Sequence, residues 1–139
     1  MGKLDGHCMC GNVTYTCDAE PVAMAVCHCT ECQRQAGTAF STVVGVPRAA
    51  LRIEGDSLAV FKTPASDRDG ETARHFCRGC GSPIVSLSDA MPDVAFVKAG
   101  TLDDASWFEP QVQVWCGSAQ PWVPLDSHPG AQLPRGPGG

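Results

Sequence analysis

The chain has 139 residues, 43% hydrophobic and 18% charged, with a formal charge of −5. That length suits one domain with a real core, and its ten Lys and Arg are scattered rather than striped, which argues against a nucleic-acid partner. Nor does the charge attract anionic ligands from a distance, so any such ligand needs a local basic contact.

In chain order, the start "MGKLDGHCMCGN" has no apolar h-region, and position 6 is Gly rather than Ser or Thr. Neither a secretory signal nor a myristoylation site is expected. "NVTYTC" alternates Val13, Tyr15 and Cys17 on one face, as a half-buried strand does. The longest apolar run, "PVAMAV", is far too short to span a bilayer, so no membrane partner is expected. Further strands are expected in "VAMAVC", "AFSTVVGV", "LAVF", "RHFC", "PIVSL", "VAFVKAG" and "QVQVWC". Helical signal is thin: "TECQRQAG" gives about two turns closed by Gly37, and "TLDDASWF" a short capped turn. Short strands separated by Gly, Pro and Asp predict a mainly β domain over 1–125, with little helix and with its sheets stapled by metal. The following "SHPGAQLPRGPGG" carries almost nothing to bury, and 126–139 reads as a Pro/Gly-rich mobile tail.

Nine cysteines without an export signal indicate a reducing, cytoplasmic location, where clustered thiols are metal ligands before they are disulfides. They fall mainly in "CMCG" (Cys8, Cys10), "CHCTEC" (Cys27, Cys29, Cys32) and "CRGCG" (Cys77, Cys80). A disulfide does not account for "CHCTEC", because loops this short are strained and three thiols cannot all pair. Zinc does. It holds thiolates at about 2.3 Å in a tetrahedron, so neighbouring sulfurs lie a little under ~4 Å apart. A regular strand holds i and i+2 side chains roughly 6.5 Å apart, so each C-x-C requires a bend. Gly11 helps make one, and Gly79 and Gly81 can take the positive φ of a knuckle turn. Iron is the lesser choice for such ligands.

Counting assigns the roles. The two-cysteine clusters combine into one closed four-cysteine site, the form of a structural zinc. "CHCTEC" supplies three thiolates, and three protein ligands with a free fourth position are how catalytic zinc sites are built. The alternatives are that His28 or another residue closes the second site, or that all seven thiols form one cluster. His28, between two ligands, is expected to point away from the metal, in support of the site or at the surface rather than in proton transfer. Arg34 and Arg78 flank the motifs and can offset thiolate charge or hold a substrate carboxylate. Cys17 and Cys116 are expected as small buried hydrophobes, and Trp107, Trp115 and Trp122 as core.

With these motifs in order, the sequence resembles the glutathione-dependent formaldehyde-activating enzyme family, which includes the domain of centromere protein V. The matching segments are "GHCMCGNVTY", "CHCTECQRQAGTAF", "HFCRGCGSPI", "VKAGTLDD" and "VWCGSAQPW", spread through most of residues 6–122. The resemblance implies a β-tent-type fold with two zinc ions per chain. It puts Cys8, Cys10, Cys77 and Cys80 on the structural zinc and Cys27, Cys29 and Cys32 on the catalytic one. It also implies carbon–sulfur lyase chemistry, the reversible combination of glutathione with formaldehyde. A small thiol and an aldehyde are then the partners expected. A non-enzymatic zinc-stabilised protein-binding module is the rival reading.

Overall fold

Tyr15 and Cys17 alternate with threonines, and this period of two sets β2 (Thr14–Cys17) with one face inward. It lies between β1 (Leu4–His7) and β5 (Leu51–Glu54) in a three-stranded antiparallel sheet. The computed structural model describes residues 4–65, 69–127 and 130–136. A second sheet takes β3 (Ala23–Cys27), β4 (Ser41–Pro47), β6 (Leu58–Pro64), β7 (Glu71–Cys77), β8 (Pro83–Ser88), β9 (Val94–Lys98), β10 (Val112–Val114) and β11 (Ala131–Gln132). Its order is β11-β10-β3-β4-β9-β8-β7-β6, antiparallel except that β10 runs parallel to both β3 and β11. The one α-helix among the described residues, α1 (Thr30–Ala36), stops where Gly37 turns left-handed at φ 69° and returns its N–H to Gln33. The protein is mainly β, as its sequence predicts.

Leu4, Val13, Tyr15 and Cys17 meet Val44, Val46, Val85 and Val97 in one apolar core between the sheets. Strand alternation sends the intervening residues of the large sheet to its other face. There Val43 lies opposite Lys98, Arg74 opposite Ser86, and Cys27 opposite Ser41. Lys98, Arg74, Ser86 and Ser41 are all buried. One face of the sheet thus builds the core, and the other carries buried polar chemistry.

Three strands escaped the sequence reading. β1 contains Asp5 and Gly6, poor strand formers; β5 is only four residues; β11 is two. The last belongs to the segment expected as a mobile tail at 126–139, of which 128–129 and 137–139 lie outside the described residues. Within it, Leu133 N–H bonds to Gln113 O, and Trp115 N–H to Arg135 O. Pairing with an edge strand uses backbone groups, so a stretch with few apolar side chains can still join a sheet. The tryptophans also differ from expectation: none is buried, and Trp122 is 70% exposed. Val, Cys and Ala make up most of the core instead. Cys17 is fully buried as expected, whereas Cys116 is only half-buried. In "TLDDASWF", Asp104 Oδ1 accepts from Ser106 N–H and caps the turn that follows. No helix among the described residues is long and apolar enough to cross a membrane.

Gly6 shows how closely β1 seats on the core. A Cβ there would meet Tyr15 Oη and Cζ and the Thr101 carbonyl inside van der Waals contact. Tyr15 cannot move aside, because it is buried and its hydroxyl bonds to Thr101 Oγ1 at 2.7 Å. Gly6→Ala should therefore cost about 1–3 kcal/mol, as overpacking does. Urea unfolding would report it as a lower midpoint at unchanged slope. An unchanged midpoint would mean that β1 does not pack as described.

Candidate metal centres

The first centre joins the ends of two hairpins. After β1 the chain bends, with Gly11 at φ 81° and its N–H on Cys8 O at 3.0 Å, which brings Cys8 Sγ and Cys10 Sγ to 3.5 Å. After β7 a second bend places Gly81 at φ 82°, with its N–H on Cys77 O at 2.7 Å. Gly79 is not left-handed, and a Cβ there would meet Cys77 Sγ and Cys10 Sγ only in ordinary van der Waals contact. Cys10 Sγ lies 3.8 Å from Cys77 Sγ, and all four sulfurs, with that of Cys80, fall within 4.8 Å of one another. These separations suit a tetrahedron of thiolates around one ion, whose edge is about 3.8 Å for zinc.

Donors on this centre favour thiolate. For Cys8, burial pushes the thiol up, but the Val13 N–H at 3.3 Å and the Cys10 and Cys77 thiols outweigh it and bring it below its usual value. Cys80 is pulled to about 5, first by the Ser82 hydroxyl at 3.2 Å and then by backbone N–H groups. Cys10 has an N–H from Asn12 in its favour, yet Cys8 and the other thiols raise it to about 11. Four such sulfurs cannot all ionise together without a cation among them. A depressed thiol is a thiolate above its folded pKa and takes a proton below it. Metal and protons compete for these sulfurs, so metal should be retained at neutral pH and released as acid returns protons to the thiolates. A chelating dye would follow the release in an acid titration. Metal loss already at neutral pH would contradict this donor arrangement.

The second centre is local. Cys27 ends β3, Cys29 is the N-cap of α1, and Cys32 lies in its first turn. Cys29 Sγ accepts the Cys32 N–H at 3.2 Å, so the helix start itself fixes two of the thiols. The three sulfurs lie within 4.8 Å of one another. No histidine or carboxylate joins them among the described residues. His28 is buried and belongs to a different network. Its Nε2–H donates to Gln113 Oε1 at 2.9 Å, its N–H to Val114 O, and its ring packs edge-on against Phe40. Gln113 in turn donates to Leu125 O. His28 thus pins the Cys27–Cys29 bend to β10, and the seven thiols form two separate groups rather than one.

The charges facing the second centre were not legible from sequence proximity. Arg34 and Arg78, the two flanking the motifs, are both exposed. Arg74 and Lys98 take that place instead, 8% and 6% exposed. Arg74 is clamped through Nε to Thr63 Oγ1, Nη1 to Gln35 Oε1 and Nη2 to Glu31 Oε2. Gln35 and Glu31 are one turn apart on α1, so this clamp also ties the helix to the sheet. Lys98 Nζ donates to Ser41 Oγ at 2.8 Å. Cys32 is drawn down to about 2, first by Cys27 and Cys29 and then by Lys98 and Arg74, against its burial. Cys27 is driven far up, because its sulfur would add another negative charge beside those two. A divalent cation resolves that conflict, and two fixed cations lessen what remains. The signal for Lys98 was a single lysine inside the apolar run "VAFVKAG".

A cleft of about 400 Å³ lined by Arg48, Lys62, His75 and Asp89 contains none of the seven cysteines. His75 neighbours Arg74 on β7 and so projects from the opposite face, away from the second centre.

Fold and sites together define a mainly β domain with two thiol clusters able to hold metal ions, one of four cysteines and one of three. The family model described as glutathione-dependent formaldehyde-activating enzyme matches residues 3–118. The chain belongs to that family. A Penicillium rubens protein provisionally named a glutathione-dependent formaldehyde-activating enzyme is 27% identical over 131 residues, covering 92% of this chain and 65% of its own length. A Talaromyces marneffei protein of the same provisional name is 26% identical, covering 84% of this chain and 63% of its own. The chain thus spans less than two thirds of these relatives. The solved structure of a Rhodobacter sphaeroides protein shares the fold at a TM-score of 0.59 and 18% identity, over 92% of this chain and 98% of that one.

Proposed function

We propose that this protein is a zinc-dependent carbon–sulfur lyase that reversibly joins a small thiol, glutathione, to an aldehyde such as formaldehyde. In this reading residues 1–125 are the functional domain, and the protein works in the cytoplasm. Cys8, Cys10, Cys77 and Cys80 hold a structural zinc; Cys27, Cys29 and Cys32 hold a catalytic one. The observation that carries the reading is a three-thiol centre with no fourth protein donor among the described residues, backed by two buried cations. Family membership supports glutathione as the thiol and formaldehyde as the aldehyde. Zinc in the second centre supplies Lewis acidity that favours thiolate near neutral pH.

The chain's own residues do the rest. Cys29, as helix cap, and Cys27, as strand end, fix the thiols on two rigid elements. Arg74 holds α1 against the sheet through Glu31 and Gln35, and Lys98 and Arg74 set a positive potential where an anionic sulfur must sit. In the reaction the thiol adds across the formaldehyde carbonyl: sulfur bonds to carbon, the thiol proton ends on oxygen, and the product is the S-hydroxymethyl thioether. Exchange spectroscopy on isotopically labelled formaldehyde with glutathione tests it: zinc-loaded protein should accelerate exchange between free and thiol-bound formaldehyde. Exchange no faster than in buffer would refute the lyase assignment.

A further inference from the structure

Lys98 sits on the face of β9 that carries the three-cysteine centre, and its ammonium has one hydrogen bond, to Ser41 Oγ. An ammonium has three donors. Two therefore lack an acceptor among the described residues, in a side chain 6% exposed. The thiols of Cys32, Cys27 and Cys29 all favour its charged form, opposing the burial that lowers its pKa, yet no hydrogen bond joins it to any of their sulfurs. On the same face Ser86, opposite Arg74 and Phe96, has a buried Oγ that also lacks a partner among the described residues. Arg74 is held in place from three sides, by Thr63, Gln35 and Glu31. Spare hydrogen-bonding capacity in a buried place is unfavourable unless a polar ligand fills it.

The chemistry proposed above produces a fitting acceptor. As the thiolate lone pair forms the C–S bond, the π pair of the carbonyl moves onto oxygen, and the resulting alkoxide takes up one proton to give the hydroxymethyl thioether. Negative charge thus leaves sulfur for an oxygen two bonds away. A donor that faces the sulfurs without bonding them suits that oxygen better than the sulfur itself. We infer that Lys98, anchored by Ser41, is the hydrogen-bond donor to the carbonyl oxygen that becomes alkoxide in the thiol–aldehyde adduct. The inference rests on the thiol-activating reading above. A donor already in place where charge develops lowers the barrier without reorganisation, and losing one lowers kcat by about 10²–10³-fold.

The test uses metal-loaded protein and two readouts. In steady state, Lys98→Met should lower kcat by about a hundredfold, a larger effect than the rise in KM for the thiol from the lost charge, and Lys98→Arg should recover part of the kcat. Independently of turnover, cobalt-loaded protein is titrated with ethanethiol and with 2-mercaptoethanol, which carries a hydroxyl near its sulfur. The wild type should bind 2-mercaptoethanol about tenfold more tightly, the effect of one charge-assisted hydrogen bond. Lys98→Met should erase that preference, while the loss of its charge weakens both thiols by one shared factor. Ser41→Ala, which frees the ammonium without removing it, should reduce the preference and covers the case in which the methionine variant fails to fold. Weakening of both thiols by the same factor with the preference intact would leave Lys98 only a counter-charge to bound sulfur and overturn the inference; so would a preference that survives both substitutions. No spectral response of the wild type to either thiol would overturn the inference, and silence toward glutathione as well would defeat the thiol-activating reading itself.

Discussion

Cys77→Ser is expected to leave the chain largely unfolded. Cys77 is fully buried, ends β7, and meets Cys10, 67 residues earlier in the sequence, at 3.8 Å. The centre they share ties the small sheet's first hairpin to the β7–β8 hairpin. Structural zinc in small domains contributes about 10–16 kcal/mol at neutral pH, whereas a whole domain is stable by about 5–15 kcal/mol. Loss of one ligand need remove only part of the first quantity to exhaust the second. Far-UV circular dichroism and metal content should show loss of structure together with loss of metal. A cooperative unfolding curve close to that of the wild type would contradict the structural role.

Cys29→Ser should behave differently, with activity abolished and fold retained. The second centre lies on the polar face of the large sheet, and the apolar core lies on the other. Cys29 also caps α1, and serine is a better helix cap than cysteine, so the seven-residue helix keeps its start. The expected product is a folded protein holding one metal instead of two. Melting temperature should shift by a few degrees, at about 2–4 °C per kcal/mol for a chain near 150 residues, while formaldehyde exchange falls to the buffer rate. If Cys29→Ser unfolds as Cys77→Ser does, the division of labour between the two centres is wrong.

Much of this was legible because cysteine spacing is a hard constraint. Cys8, Cys10, Cys77 and Cys80 can share an ion only if both bends form, and Gly11 and Gly81 mark where they do. The alternating segments that became β2, β3, β4, β8 and β9 were legible for the same kind of reason, a period set by the pleat. What stayed hidden depends on register. Arg74 and Lys98 lie 42 and 66 residues from Cys32 in sequence, counted directly from their numbers, and reach the centre only because β7, β8, β9 and β4 stack side by side. No local pattern encodes that. Arg34 and Arg78 were the reasonable guesses from proximity, but Arg34 lies on the exposed side of α1 and Arg78 in an exposed turn. The tryptophans misled for a related reason: size predicts burial only where the fold leaves room, and the core between these sheets is filled mainly by Val, Cys and Ala.

The central claim is that the centre of Cys27, Cys29 and Cys32 takes an exogenous thiol as thiolate, and one titration addresses it directly. Cobalt is loaded into the protein in place of zinc, glutathione is added, and the visible and charge-transfer absorption is recorded together with proton release. A saturable spectral change is expected, with about one proton released per thiol bound, weakening as pH falls because thiolate formation is then opposed. Cys29→Ser should show no such change. An unchanged spectrum in the wild type with glutathione and with every other small thiol would contradict the central claim.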